Sequence, residues 1–122
     1  MVIFLDTFAL IEIHRGNSNY KKYAIEPSES MTSFLNLIEI HFYYLKNFDE
    51  KEAASIYNAV KPLVVPISDS IIHEANKFKL LHLKKRFSFA DCIGYAAAKK
   101  FNAKFVTGDY LFKDLEGVEF IR

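Results

Sequence analysis

The chain has 122 residues, 51% hydrophobic and 25% charged, a size and balance that suit one folded core and exclude a disordered chain. Sixteen Lys and Arg against fifteen Asp and Glu leave a net charge of +1, which excludes a broad basic surface as the grip on a polyanion. Any such grip is local or draws on bound metal cations, and no apolar run is long enough to span a membrane.

Val2 to Asp6 is a short apolar run closed by an acid and predicts a buried strand. It is too short and too soon interrupted, by Asp6 and then Glu12, to serve as a secretory leader. Apolar side chains at positions 8, 10, 11 and 13 predict a helix over Thr7 to Arg15, stopped by Gly16-Asn17-Ser18. A short helix is expected around Tyr20 to Ala24, a break at Glu26-Pro27-Ser28, and a brief second strand over Ser30 to Ser33. Phe34 to Phe48 is the longest apolar helical stretch, and Asp49 N-caps a further helix running to about Val60. Leu63 to Ile67 predicts a strand, and Ser68-Asp69 caps a helix from about Ser70 to Leu83. Ser88 opens a helix through Lys100, Lys104 to Thr107 is a strand ending at Gly108-Asp109, and Val118 to Ile121 is the last strand. Strands alternating with helices predict an α/β fold: a three-layer α/β/α sandwich with a mostly parallel central sheet, forming one domain over residues 1–122.

Such sheets bind ligands beyond the carboxyl ends of their strands, where Asp6 and Asp109 fall. Each also has a purely structural reading, Asp6 as a helix N-cap and Asp109 as a turn residue. Asp91 stands three residues after Ser88, the spacing of a capping box, where the helix dipole also favours a carboxylate. A helix start turned towards the strand ends brings that carboxylate to the same place. Glu39 lies in a helix apolar around most of its circumference, which predicts burial, and shares a narrow polar stripe with Asn36 and Tyr43. A buried carboxylate needs a partner: a Lys or Arg, water at the helix edge, or a cation shared with other acids. Mg²⁺ and Mn²⁺ suit carboxylate oxygens. Zinc is not indicated, because His14, His41, His73 and His82 lack ligand spacing and Cys92 is the single cysteine, read as a small core residue outside any disulfide. The one concentration of basic residues comprises Lys77, Lys79, Lys84, Lys85 and Arg86, either a solvated helix face or a phosphate-contacting patch.

Four stretches recur in a telling order: Phe4-Leu5-Asp6-Thr7, Thr32 to Glu39, Ser88-Phe89-Ala90-Asp91 with Ala96-Ala97-Ala98, and Val106-Thr107-Gly108-Asp109 with Phe112. Together they resemble the PIN-domain nucleases, in particular the short VapC-type toxins of prokaryotic toxin–antitoxin pairs, over essentially the whole chain. The resemblance implies a PIN-like fold and a Mg²⁺- or Mn²⁺-dependent endoribonuclease. In it Asp6, Glu39, Asp91 and Asp109 hold one or two ions, Thr7 and Thr107 support the site, and Asn36 is a polar neighbour of the glutamate. It further implies an RNA substrate, a homodimer, and a cognate antitoxin whose tail crosses the active-site groove. On this expectation Asp6 and Asp91 are the principal anchors, Asp109 completes the shell or holds a second ion, and Glu39 binds the metal through water or orients the attacking hydroxide. Lys84, Lys85 and Arg86 are expected to contact the RNA backbone, and the expected location is the cytoplasm. The region between Arg15 and Thr32 and the basic segment before Ser88 match no family pattern.

A phosphoryl-accepting receiver domain needs paired acids after the first strand, and an Asp-x-Asp phosphatase needs an acid at position 8; Thr7 and Phe8 follow Asp6 instead. A catalytically inactive PIN-like RNA-binding or regulatory interaction module remains the alternative. So does docking of a partner on aromatic surface around Phe42, Tyr43, Tyr44 and Phe48.

Overall fold

The computed structural model describes residues 2–122, in which four strands and five α-helices follow in the order strand, helix, strand, four helices, strand, strand. The strands are β1 (Ile3–Leu5), β2 (Ser30–Met31), β3 (Lys104–Thr107) and β4 (Val118–Phe120). The helices are α1 (Thr7–His14), α2 (Phe34–Asn47), α3 (Glu50–Val60), α4 (Asp69–Leu81) and α5 (Phe89–Lys100). Every strand pairing is parallel, in the order β2-β1-β3-β4, so all carboxyl ends open on one edge of the sheet.

The apolar strands have both faces covered, as parallel sheets require. Side chains alternate across the pleat: Ile3, Leu5 and Val106 enter a core with α1, α2 and α3, while Phe4 and Phe105 enter a second core with α4 and α5. The Phe4 and Phe105 rings stack there with centroids 5.6 Å apart. The result is the expected three-layer α/β/α arrangement. Cys92 is buried in the second core.

Each α-helix begins on a side chain that accepts an otherwise unpaired backbone N–H. Asp6 caps α1, Ser33 caps α2, Asp49 caps α3, Ser68 caps α4 and Ser88 caps α5. At the far end of α1, Gly16 adopts φ +79°, the left-handed backbone that turns the chain out of a helix.

Three expectations are corrected. Leu63 to Ile67 is not a strand: residues Lys61–Leu63 form a 3₁₀ turn started by Pro62, and only Val64 bridges Thr32. Pro66 has no N–H with which to extend that ladder. In place of a helix over Tyr20 to Ala24 there is a 3₁₀ turn over Ser18–Tyr20, started early by the Asn17 side chain accepting from Asn19 N at 2.9 Å. Finally, α2 is not buried all round. Phe34, Ile38 and Phe42, four residues apart on one face, are 58%, 49% and 63% exposed, and Glu39 is exposed too. Among the described residues, no helix is long and apolar enough to cross a membrane.

Candidate active site

The register of β1 against β3 sets Leu5 opposite Val106, so the next residues along each strand, Asp6 and Thr107, become neighbours at the carboxyl edge. The Thr107 hydroxyl donates to Asp6 Oδ2, while Asp6 Oδ1 accepts from Ala9 N at 2.8 Å as the cap of α1. The same Thr107 oxygen accepts from Asp109 N at 3.0 Å, which bends the chain after Gly108 back over the strand end. Gly108 is needed for that bend. A Cβ there would run into the Phe8 ring and lie 2.6 Å from the Ile121 carbonyl oxygen.

Asp91 arrives from the other layer. At the start of α5, Ser88 Oγ accepts from Asp91 N at 3.0 Å and Asp91 Oδ2 accepts from Ser88 N at 2.9 Å, a complete reciprocal capping box. The loop before it is fastened by Lys79, whose Nζ donates to the Phe87 carbonyl and lies 4.8 Å from the Phe89 ring centroid. Glu39 is held by a relay of side chains from α2 to α1. Ser33 Oγ donates to Asn36 Oδ1 (2.6 Å), Asn36 Nδ2 to Thr7 Oγ1 (3.0 Å), and Thr7 Oγ1 to Glu39 Oε1 (2.5 Å).

Asp6, Glu39, Asp91 and Asp109 thus line one cavity of about 260 Å³, together with Thr7, Phe8, Tyr110, Leu111 and Arg122. Thr107 and Asn36 act from behind, each through one hydrogen bond to a lining side chain. No salt bridge engages Glu39 among the described residues, and its partner is the Thr7 hydroxyl rather than a lysine or arginine. Of the basic residues expected at the site, Lys85 alone reaches the rim, with Nζ 3.5 Å from the Leu111 carbonyl oxygen. Lys84 and Arg86 do not line the cavity.

Sequence reasoning missed Phe8, Tyr110, Leu111 and Arg122. Arg122 had a usable signal, since it follows the end of β4 just as Asp6 and Asp109 follow β1 and β3. Its guanidinium lies 4.3 Å from the Tyr110 ring centroid and 5.1 Å from that of Phe8, and its Nε donates to the Gly108 carbonyl at 2.8 Å.

Burial and crowding govern the charge. Asp6 is pushed up from 3.8 to about 7, first by burial and then by repulsion from Asp91 and Asp109, against the hydrogen bonds from Thr107 and Ala9. Asp91 is also raised, by burial and by Asp109, against its bonds to Ser88 and the charge of Lys79. A cation in the cavity would relieve both. The donors are all hard carboxylate oxygens, which fits Mg²⁺ or Mn²⁺. Among the described residues, though, no three His, Cys, Asp or Glu side chains form a ready ligand set for one ion. The fit is therefore to an ion that keeps much of its water, as Mg²⁺ does.

The PIN domain family model matches residues 3–118, from β1 to the first residue of β4. No curated protein matches the sequence. Among solved structures, the fold is similar to that of the Mycobacterium tuberculosis toxin VapC20, described as cleaving the sarcin–ricin loop. The TM-score is 0.79 at 19% identity, covering 98% of this chain and 99% of that one. It is also similar to VapBC2 from Rickettsia felis bound to a promoter DNA fragment, with a TM-score of 0.76, 16% identity and 100% of both chains covered. A toxin–antitoxin complex from Klebsiella pneumoniae gives a TM-score of 0.73 at 19% identity, covering 96% of this chain and 95% of that one. With a family match that runs from β1 through all five helices and β3 to the start of β4, the chain belongs to the PIN domain family.

Proposed function

We propose that the chain is a cytoplasmic, Mg²⁺- or Mn²⁺-dependent endoribonuclease, the toxin of a toxin–antitoxin pair, and that residues 1–122 act as a single nuclease domain. The observation that carries this reading is the gathering of four carboxylates, from four separate elements, in one cavity at the carboxyl edge of a parallel sheet. Simple folding needs supply no reason to bury Asp6, which pushes it up to about 7, and to set Asp91 and Asp109 beside it as well.

In this reading Asp6, Asp91 and Asp109 hold the cation, and Glu39 orients the attacking water from the exposed side of the cavity. The bound ion supplies positive charge to the phosphate oxygens and acidifies water at neutral pH. Thr107 fixes the Asp6 carboxylate, and the relay from Ser33 through Asn36 and Thr7 fixes Glu39, so both acids are oriented before substrate arrives. The exposed apolar stripe of Phe34, Ile38 and Phe42 supports docking of protein, an antitoxin or a second copy of the chain.

The test is cleavage of purified RNA with Mn²⁺ or Mg²⁺ against an EDTA control. Cleavage is expected only with the ion, and Asp91→Asn, which keeps the shape of the capping box but removes the charge, is expected to abolish it. Cleavage that persists in EDTA contradicts the metal mechanism. A folded protein that binds RNA but neither cuts it nor binds the ion by calorimetry is instead a binding module.

A further inference from the structure

We propose that Arg122 is a substrate-binding residue that holds an RNA phosphate at the mouth of the acidic cavity. The inference rests on the nuclease reading for its substrate class, but it stands on its own geometry.

An arginine on a surface normally samples many rotamers, and ordering it costs conformational entropy. Arg122 is already ordered. Tyr110 and Phe8 lie against its guanidinium at 4.3 and 5.1 Å, and the Gly108 carbonyl accepts from its Nε at 2.8 Å. All three contacts are on segments that build the site: Phe8 follows Asp6 and Thr7, while Gly108 and Tyr110 flank Asp109.

The guanidinium is not used to neutralise the acids. It lines the same cavity as Asp6, Glu39, Asp91 and Asp109, yet it forms no salt bridge with any of them among the described residues. Among the described residues Nε alone donates a hydrogen bond, so the Nη1 and Nη2 groups keep their donors. Two such nitrogens on a rigid plane match two oxygens of a phosphate, a geometry a lysine cannot reproduce.

Charge gives the second half of the argument. A phosphodiester approaching four carboxylates is repelled unless fixed positive charge meets it. Among the described residues, Arg122 is the one Lys or Arg side chain lining the cavity, and Lys85 at the rim already directs its Nζ to the Leu111 carbonyl. A backbone phosphate held by Arg122 is thereby drawn to the edge of the acid cluster.

The experiment measures binding of a short fluorescein-labelled single-stranded RNA across a salt series, in an Asp91→Asn background so that the probe survives. Arg122→Gln is expected to weaken binding about tenfold at low salt and to reduce the slope of log K against log salt by about 0.7, the loss of one phosphate contact. Arg122→Lys, which keeps the charge but not the fork, is expected to retain most of the slope and lose part of the affinity. A merely structural role for Arg122 would not move the slope. Unchanged affinity and slope in Arg122→Gln overturn the proposal, as does a chain that binds no RNA. Cleavage by the unaltered chain with Mn²⁺ tests the other reading separately. Arg122-dependent binding without cleavage keeps this inference and loses the nuclease. Cleavage with binding indifferent to Arg122 does the reverse.

Discussion

At neutral pH Asp6 stands between its two charge states, because burial and the nearby Asp91 and Asp109 carboxylates all oppose ionisation. Its folded value of about 7 lies above its ordinary 3.8, so the group favours the folded state fully below the lower figure and loses that effect as pH rises through the higher one. Asn caps a helix as well as Asp does and carries no charge. In the presence of a chelator, Asp6→Asn is therefore expected to be more stable than the unaltered chain at pH 8, by on the order of a few kcal/mol. The gap should close towards pH 4, and thermal denaturation across that range measures it. Equal melting temperatures at pH 8 would show that the crowding has no energetic consequence. At this scale the sequence was informative where a residue's position in a strand or helix implied its direction. Asp6, Asp91 and Asp109 were legible for that reason. Glu39 was found, but for a reason that needed correcting: it was expected to be buried, whereas it is exposed and oriented by Thr7. Arg122 escaped although its place just after β4 was a usable signal, because its ordering comes from Tyr110 and Phe8, partners across the fold that no local pattern links to it.

Among the elements, the turn after β3 has no room for a side chain at Gly108. Gly108→Ala places a methyl group against the Phe8 ring and 2.6 Å from the Ile121 carbonyl oxygen, so either β4 or the Asp109 turn must move. The expected cost is about 1–3 kcal/mol by urea denaturation, with cleavage falling more steeply than stability because the turn carries Asp109. A variant as stable as the unaltered chain would mean that the turn yields freely. Capping made most helix starts readable, since Asp6, Asp49, Ser68 and Ser88 act within three residues of themselves. Leu63 to Ile67 was misread because its β-branched residues suit a strand, whereas a ladder also needs N–H groups that Pro62 and Pro66 do not have. For α2, apolar composition could not distinguish Leu37 and Ile40, which find the core, from Phe34, Ile38 and Phe42, which do not.

Across the whole molecule, the acids come from both sides of the sheet: Glu39 from the layer of α1, α2 and α3, Asp91 from the layer of α4 and α5, and Asp6 and Asp109 from the sheet edge between them. A cation bound in that cavity would tie the layers together and would bind only the folded state. Mn²⁺ is therefore expected to raise the melting temperature in proportion to the logarithm of its concentration above the dissociation constant. Asp91→Asn is expected to flatten that response; a flat response in the unaltered chain as well, by scanning calorimetry over a Mn²⁺ series, would contradict binding of the ion. The layered architecture itself was legible, because strand–helix alternation constrains topology strongly.

The strand order β2-β1-β3-β4 has a consequence for synthesis. Asp6 is made early, but β3, one of the two neighbours of its strand, is made only after all five helices. Until that central strand slots in beside the first, Asp6 lacks Thr107 and the cluster lacks Asp109. On the proposed nuclease reading, a nascent chain is expected to leave the RNA around it uncut until the closing of the sheet completes the acid cluster.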